Sequence, residues 1–183
     1  MASSFFTFSR KFGDVSRFGK LLFKPDAAKN LFANPEFASK RPRGLYRSTL
    51  DRTFFLTEGA SVKMNCNGAI DSGYKEYLNN LKPDTDYEVT FFVRLENVKK
   101  LEAKSSGFYL RFDYGNGKCV YYPPYPVQMD GSCPWTGFSF RVHTPKDLNA
   151  KRAYIDFNLR KATGTAWLDH LSLIEIPAPK AAR

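Results

Sequence analysis

The sequence predicts an all-β protein in which two antiparallel sheets pack face to face as a sandwich. Aromatic residues make up 16% of the 183 residues, with 17 Phe and 10 Tyr, and these side chains favour strands over helices. Stretches in which apolar and polar residues alternate recur along the chain between turns, and no amphipathic helical stretch separates them. We therefore expect about nine short strands in two sheets.

The clearest strand lies within residues 79–95 and follows a turn at Pro83 and Asp84. The proline ring fixes φ at the first corner of the turn, and the Asp side chain can bond the backbone two residues on. The residues after the turn alternate with the period of a strand. The core face holds Tyr87, Val89, Phe91, Val93 and Leu95, and the other face holds Glu88, Thr90, Phe92 and Arg94.

A hairpin is predicted over residues 106–122, because Asn116 and Gly117 form the strongest short-range hairpin signal. Its first strand places Phe108, Leu110, Phe112 and Tyr114 on the inner face. Alternation predicts further strands within residues 59–66, 74–81, 134–145, 152–159 and 164–176, an opening strand at 30–37, and a proline-rich loop at 123–134.

The length of the chain fits one domain with some excess at the termini. We assign the sandwich to residues 30–177 and a tail to residues 178–183. Residues 1–29 mix phenylalanines with basic residues without a clear period. We leave them unassigned, as a linker or as strands that dock on the sandwich.

The formal charge is +10 and the pI is near 9.5, values that permit nucleic acid, an anionic membrane surface or an acidic polysaccharide as a partner. They select none of the three. Several positive charges lie near the chain ends, and no helix-turn-helix, zinc-finger or ribonucleoprotein motif accompanies them. We favour solubilising tails over nucleic-acid binding.

The three cysteines, Cys66, Cys119 and Cys133, include no CxxC motif, which argues against a metal cluster. Either Cys119 pairs with Cys133 in an exported protein, or all three are free thiols. No apolar run reaches membrane-spanning length, and the first residues lack an export signal. The protein is then either intracellular or part of a larger secreted chain.

Several segments together resemble the jelly-roll carbohydrate-binding modules of families four, nine, sixteen and twenty-two, which are galactose-binding-domain-like β-sandwiches. The segments are NLFANPEF (30–37), GASVKM (59–64), LKPDTDYEVTFFV (81–93), PWTGFSFRVHTP (134–145) and GTAWLDHLSLIEI (164–176). The resemblance implies a non-catalytic, polysaccharide-binding accessory module of a larger glycan-active enzyme. It also implies an extracellular or periplasmic location and favours the secreted-chain alternative.

The outward faces of the inner strands supply the candidate binding residues. Sugars stack their C–H faces on aromatic rings and pair their hydroxyls with planar polar side chains. If these strands are neighbours, one polar and aromatic floor results, and the resemblance implies that a glycan chain binds there. The floor comprises Phe92, Arg94, Tyr109, Arg111, Asp113, Ser139, Arg141, His143, Tyr154, Asp156 and Asn158.

Within this floor, we expect the sugar to stack on Tyr109 and Tyr154. Tyr121, Tyr122 and Tyr125, which lie among prolines, form a second candidate platform. The alternatives are an ordinary solvated surface for the floor and Tyr-Pro packing for the loop. Trp135 and Trp167 are expected in the core rather than in a binding site.

The resemblance further implies a structural Ca²⁺ held by the closing-strand Asp169, the region of Asn34 and Glu36, and the carbonyl of Gly59. Oxygen ligands of this kind suit calcium. However, Ala38 stands where the family usually has an acidic residue. The alternative is that Asp169 accepts hydrogen bonds from nearby backbone N–H groups.

Catalysis is the less favoured function. Asp113 and Asp156 are the one outward pair of carboxylates that the alternation suggests for a glycosidase. Arg111, His143 and Tyr109 could imitate the residues of a jelly-roll lyase. No nucleophile–base–orienter spacing accompanies either set. We predict a polysaccharide-binding domain, and the alternative is a structural sandwich that packs against a neighbouring domain without binding sugar.

Overall fold

The computed structural model describes residues 9–14 (backbone only), 29–38, 42–57, 59–104, 106–123 and 129–177. These residues form eleven strands and no helix. The strands are β1 (Ser9–Asp14), β2 (Leu45–Tyr46), β3 (Ser48–Asp51), β4 (Ser61–Asn67), β5 (Ser72–Tyr77), β6 (Asp86–Lys100), β7 (Gly107–Asp113), β8 (Cys119–Tyr122), β9 (Gly131–His143), β10 (Tyr154–Arg160) and β11 (Ala162–Glu175).

The strands form two sheets, which confirms the predicted all-β sandwich. The six-stranded sheet has the order β1-β9-β6-β11-β4-β3, and the five-stranded sheet has the order β2-β5-β10-β7-β8. Every pairing is antiparallel. Strand β1, from the segment that we left unassigned, pairs with β9 at the edge of the six-stranded sheet.

The core lies between the sheets and consists of the residues that alternation placed inside. From β6 these are Tyr87, Val89, Phe91, Val93 and Leu95, and from β7 Phe108, Leu110 and Phe112, all at most 2% exposed. Phe91 is at the centre, with its ring 5.4 Å from that of Phe138 and 5.3 Å from that of Phe157. The inner faces of both sheets are therefore predictable from the period of two.

Two segments differ from the prediction. Residues 30–37 form bends and turns rather than a strand, although the Leu31 N–H bonds the Leu173 carbonyl at 2.9 Å and the Pro35 carbonyl accepts from the Leu171 N–H at 2.8 Å. Proline and the close turn at Phe37 prevent a continuous ladder there. Strand β9 begins at Gly131, within the predicted proline-rich loop, and so starts earlier than the strand predicted from Pro134.

The decisive difference concerns which strands are neighbours. Strands β6 and β9 lie in the six-stranded sheet, whereas β7 and β10 lie in the five-stranded sheet. The outward side chains of these two pairs therefore lie on opposite outer faces of the sandwich. The prediction of one shared floor is wrong, because Phe92, Arg94, Arg141 and His143 are separated from the candidates on β7 and β10.

Candidate functional site

The outer face of the five-stranded sheet carries the candidate site, which we call the polar-aromatic face. Strand register arranges its side chains in rows that cross the strands. The first row reads Tyr77, Tyr154, Asp113 and Cys119; the second reads Lys75, Asp156, Arg111 and Tyr121; the third reads Tyr46, Gly73, Asn158 and Tyr109. Tyrosine rings thus alternate with charged and amide groups over the whole sheet.

Tyr46 crosses this face from the edge strand β2 to the centre. Its hydroxyl donates to Asp156 Oδ1 at 2.7 Å and accepts from Asn158 Nδ2 at 2.6 Å. Glycine is required at position 73, because a Cβ there would lie 2.3 Å from the Tyr46 hydroxyl. Burial and the adjacent Asp156 carboxylate raise the pKa of Tyr46, so its hydroxyl keeps the proton that it donates.

Arg111, Asp113 and Tyr154 form a second group on the same face. The Arg111 guanidinium contacts Asp113 Oδ2 at 2.5 Å and lies 5.5 Å from the centre of the Tyr154 ring. Lys75 approaches the same ring at 4.5 Å. Burial raises the pKa of Tyr154 to about 12 despite the nearby Arg111. Two cations thus lie close to the Tyr154 ring and favour this arrangement of the three side chains.

The side chains of this face fall into two groups, those that are buried and those that a ligand could reach. Tyr109, Asp113, Asp156 and Asn158 are between 6% and 8% exposed. The Tyr109 ring packs 5.9 Å from that of Tyr121, so the prediction that sugar stacks on Tyr109 is wrong. The accessible side chains are Tyr77, which is 59% exposed, and the half-buried Lys75, Arg111, Tyr121 and Tyr154.

Sequence reasoning missed Tyr46, Lys75 and Tyr77. Tyr46 belongs to a strand of two residues, which is too short for alternation to reveal. Lys75 and Tyr77 do alternate with Tyr74 on β5, and their register with Asp156 and Tyr154 follows once β5 is paired with β10. The outward positions of Lys75 and Tyr77 could be predicted from the sequence, but their proximity to Asp156 and Tyr154 could be recognised only from the strand order.

The structure describes two of the three tyrosines of the predicted loop platform, Tyr121 and Tyr122. Tyr122 points into the core, where its ring stacks on Phe140 at 4.7 Å with an interplanar angle of 5°. Tyr125 lies outside the described residues. Of the two described tyrosines, Tyr121 lies on the polar-aromatic face, because neighbours on a strand point to opposite sides.

Residues 52–57, which we call the cap loop, cover one part of the outer face of the six-stranded sheet. Phe92, Trp135 and Trp167 form a separate apolar cluster beneath it, and each is at most 6% exposed. Phe54 of the cap loop lies 6.1 Å from the Trp135 ring and 5.1 Å from the Trp167 ring. Both tryptophans are buried as predicted, but they lie outside the core between the sheets.

Phe92 and Arg94 are therefore unsuited to binding sugar. Phe92 is buried in the cap cluster, and the Arg94 guanidinium lies over the Phe54 ring at 4.8 Å. Arg141 is exposed on the same sheet. His143, also on this sheet, lies between Asp86 at 2.9 Å and Asp84 at 3.3 Å.

Neither predicted catalytic set is assembled for catalysis. His143 and the pair Arg111 and Tyr109 lie on different sheets, so no lyase triad forms among them. Asp113 and Asp156 share the polar-aromatic face, but both are buried. Asp113 is paired with Arg111 and accepts the Gly115 N–H at 2.8 Å, and burial raises the pKa of Asp156. Neither carboxylate is open to a substrate in this arrangement.

Asp169, the proposed calcium ligand, is fully buried and accepts four hydrogen bonds. Oδ2 accepts the N–H groups of Leu56 at 2.8 Å and Thr57 at 3.0 Å; Oδ1 accepts the His170 N–H at 2.7 Å and the Thr57 hydroxyl at 3.2 Å. Burial raises the pKa of Asp169 to about 6. Positive ends of dipoles surround the carboxylate, so it does not fit an ion as arranged.

The other proposed calcium ligands lie close to one another. A Cβ on Gly59 would be 2.9 Å from the Glu36 carbonyl oxygen, and the Asn34 carbonyl accepts the Phe37 N–H at 3.2 Å. The Glu36 carboxylate lies 3.5 Å from His170 Nδ1. Throughout the described parts of the chain, no group of three or more His, Cys, Asp or Glu side chains is placed to hold a metal.

The three cysteines are free thiols, which decides between the two alternatives for Cys119 and Cys133. Cys119 lies on β8 and Cys133 on β9, in different sheets. No helix in the part of the chain described here has the length and apolarity to cross a bilayer.

No family model and no curated relative matches the chain. Solved structures do match its fold. The enzymatically active domain of bacteriophage CBA120 tailspike protein 4 matches with a TM-score of 0.56 and 11% identity, over 80% of this chain and 21% of the tailspike chain. The chain therefore spans about a fifth of that protein.

Carbohydrate-binding modules match over most of their own length. TmCBM61 in complex with β-1,4-galactotriose has a TM-score of 0.53 and 17% identity, over 81% of this chain and 99% of that chain. The CBM22-1 xylan-binding domain of Paenibacillus barcinonensis Xyn10C has a TM-score of 0.51 and 14% identity, over 78% and 92%. At these identities the likeness concerns the fold. The chain thus has the two-sheet jelly-roll fold of the carbohydrate-binding modules, as its motifs predicted.

Proposed function

We propose that this chain binds a glycan on the polar-aromatic face and performs no catalysis itself. The observation that carries the proposal is the composition of that face: accessible tyrosine rings lie beside charged and hydroxyl groups whose orientation is fixed by buried partners. Sugars need both kinds of group, since their C–H faces stack on rings and their hydroxyls pair with planar polar side chains. The fold likeness to modules such as the galactotriose-bound TmCBM61 supports the same function.

The accessible residues have two roles in the proposed binding, stacking on the sugar ring and hydrogen bonding to its hydroxyls. Tyr77 has the most exposed ring and provides the stacking surface together with Tyr154, whose centroid is 5.9 Å away. Arg111, Lys75 and the Tyr121 hydroxyl bond the sugar hydroxyls. The buried Asp113, Asp156 and Asn158, together with the half-buried Tyr46, hold these groups in place, so preorganisation lowers the entropic cost of binding.

The proposed setting is an accessory module within a larger secreted, glycan-active protein, in the extracellular space or the periplasm. This proposal rests on the fold likeness to a xylan-binding domain and to one part of a tailspike chain. An acidic glycan is proposed as one possible ligand, because the formal charge is +10.

Affinity electrophoresis against neutral and acidic polysaccharides tests the binding proposal. We expect one or more polysaccharides to retard the protein and expect Tyr77→Ala and Tyr154→Ala to reduce the retardation, because each removes a stacking ring. Phe55→Ala is the matched control: Phe55 is an exposed aromatic, 39% accessible, in the cap loop on the opposite face. Its loss should leave retardation unchanged.

The outcomes separate the proposal from its alternatives. Retardation that is insensitive to both tyrosine variants would place binding elsewhere. The absence of retardation by every polysaccharide would favour a structural sandwich that packs against a neighbouring domain. A gel shift with nucleic acid at physiological salt would favour the third alternative, since non-specific nucleic-acid binding is dominated by charge.

Calcium binding stays a prediction of the family resemblance. The clustered carbonyl of Glu36 and backbone of Gly59 favour it, whereas the four hydrogen bonds to Asp169 oppose it. Melting temperatures measured with added Ca²⁺ and with chelator decide the matter. A chelator-sensitive melting temperature would support a site, and an unchanged one would remove it.

A further inference from the structure

A pocket of about 730 Å³ lies where strands β2 and β5 meet at one edge of the five-stranded sheet. Its volume is within the range of roughly 300–1,000 Å³ that is typical of small-molecule sites. Its walls are largely apolar and come from three segments of the chain. The lining residues on which the argument depends are Arg43, Gly44, Tyr74, Lys75, Glu76 and Tyr77.

The pocket continues the first row of the polar-aromatic face. Tyr77 lines the pocket and also contacts Tyr154 with its ring centroid 5.9 Å away. Lys75 likewise lines the pocket while its ammonium lies 4.5 Å from the Tyr154 ring. A glycan that lies across Tyr154 and Tyr77 therefore leads directly into the pocket.

Charges on the open part of the face are internally paired. Arg111 pairs with Asp113 at 2.5 Å, and Arg160 pairs with Asp71 at 3.3 Å. Both arginines thus already have a carboxylate partner, which weakens their preference for an anionic sugar.

The pocket has a different charge arrangement. Arg43 is exposed at its rim and makes no hydrogen bond or ion pair with any described residue. Among the described lining residues, Glu76 is the one carboxylate, and it is occupied because it accepts the Ala33 N–H at 3.2 Å and the Tyr74 hydroxyl. With Lys75 and Arg43 against one bonded Glu76, the lining carries a net positive charge.

Packing holds Arg43 at this position. The neighbouring Gly44 carbonyl accepts the Lys75 N–H at 3.0 Å. A Cβ on Gly44 would lie 1.5 Å from the Lys75 carbonyl oxygen, so only glycine allows this approach. The backbone that carries Arg43 is thereby fixed against β5, beside Lys75.

We propose that this pocket is a subsite for a sugar residue that bears an anionic group, either a carboxylate or a sulfate. The pyranose ring packs against Tyr77 and the apolar walls, while Arg43 and Lys75 bind the anion. Arginine suits this role, since its planar fork matches both carboxylate and sulfate oxygens. This inference rests on the proposed glycan binding. It assigns the preference for anionic over neutral sugars to the β2–β5 edge of the polar-aromatic face.

Titration calorimetry with matched oligosaccharides tests the inference. The probes are tetragalacturonate and its carboxyl-reduced counterpart for the carboxylate arm, and a galactose oligosaccharide with and without sulfate for the sulfate arm. We expect the anionic member of at least one pair to bind more tightly, and Arg43→Ala to weaken its binding about fivefold while leaving the neutral member unchanged. Added salt should weaken only the anionic probe.

Arg141→Ala is the matched control, because it removes the same charge from an exposed position on the opposite sheet. Equal effects of Arg43→Ala and Arg141→Ala would show a general charge effect and overturn the subsite. Neutral and anionic members that bind equally would overturn it as well, while glycan binding stands. If no probe binds the unaltered protein and no polysaccharide retards it, both the subsite and the proposed function fail.

Discussion

Both outer faces of the sandwich carry aromatic residues, but a loop buries those of one face, whereas several of those on the other are accessible to solvent. On the six-stranded sheet, the cap loop buries two tryptophans and Phe92 beneath Phe54. On the five-stranded sheet, no described loop covers the tyrosines to the same degree, and Tyr77 remains 59% exposed. An apolar cluster of tryptophans is stabilised by burial, whereas tyrosines tolerate contact with water because their hydroxyls bond polar neighbours.

The means of anchoring differ in the same way. Two carboxylates hold the cap loop at its ends. Asp51 accepts the N–H groups of Thr53 and Phe54, each at 3.0 Å, and Asp169 accepts those of Leu56 and Thr57. On the polar-aromatic face, Asp156 bonds the Tyr46 hydroxyl and Asp113 bonds the Arg111 guanidinium, so these carboxylates orient tyrosine and arginine side chains, although Asp113 also accepts the Gly115 N–H. Carboxylates therefore hold a covering loop in place on one face, whereas on the other face they orient side chains that remain accessible to a ligand.

Removing Asp169 gives the largest expected change. In Asp169→Ala, the buried N–H groups of Leu56, Thr57 and His170 lose their acceptor, and we expect the free energy of unfolding to fall by about 3 kcal/mol or more. Urea denaturation followed by tryptophan fluorescence measures it. Asp147→Ala is the control, since Asp147 is exposed and pairs only at the surface with Lys118. Similar losses in both variants would show that the cap loop does not depend on Asp169.

Phe54→Ala tests the cover itself. Phe54 packs on both tryptophans, so we expect a loss of about 2 kcal/mol together with faster quenching of tryptophan fluorescence by acrylamide. Phe55→Ala changes the adjacent, exposed residue of the same loop and should cost less than about 0.5 kcal/mol. If the two variants were equally quenched, the tryptophans would not be shielded by Phe54.

Tyr46→Phe tests the hydrogen-bond network of the polar-aromatic face. The substitution keeps the ring but removes the hydroxyl that links Asp156 and Asn158, and we expect a loss of about 1 kcal/mol in the free energy of unfolding. Tyr77→Phe removes a hydroxyl from an exposed ring and should leave stability unchanged. Chemical denaturation compares the two, and equal stability would argue against a structural role for the Tyr46 network.

The smallest effect concerns pH and Asp51. Although partial burial alone would raise its pKa, hydrogen bonds from Trp167, Thr53 and Phe54 lower it from 3.8 to about 2. A lowered pKa in the folded state stabilises the protein above the unfolded pKa, and this stabilisation is lost as pH falls towards 2. We expect the difference in unfolding free energy between the unaltered protein and Asp51→Asn to shrink as pH falls from about 4 to about 2. A difference independent of pH would contradict the assignment.

The sequence alone determined the fold class and the inward face of each main strand. Alternation placed Phe91, Phe108 and Phe157 inside, and they are fully buried. It also revealed the turn at Pro83 and the hairpin at Asn116, because turn chemistry and side-chain period act within a few residues of the chain. Local signals of this kind need no knowledge of distant strands.

Which outward residues share a surface follows from the pairing of distant strands, and only the structure reveals that pairing. Strands β6 and β7 follow one another in the chain yet belong to different sheets, so Arg94 and Arg111 face opposite sides of the sandwich. The structure also decided that Tyr46 reaches Asp156 across Gly73 and that residues 52–57 cover the tryptophans. These outcomes depend on contacts between segments about 80 to 116 residues apart, and a period of two in one strand carries no information about its neighbour in the sheet.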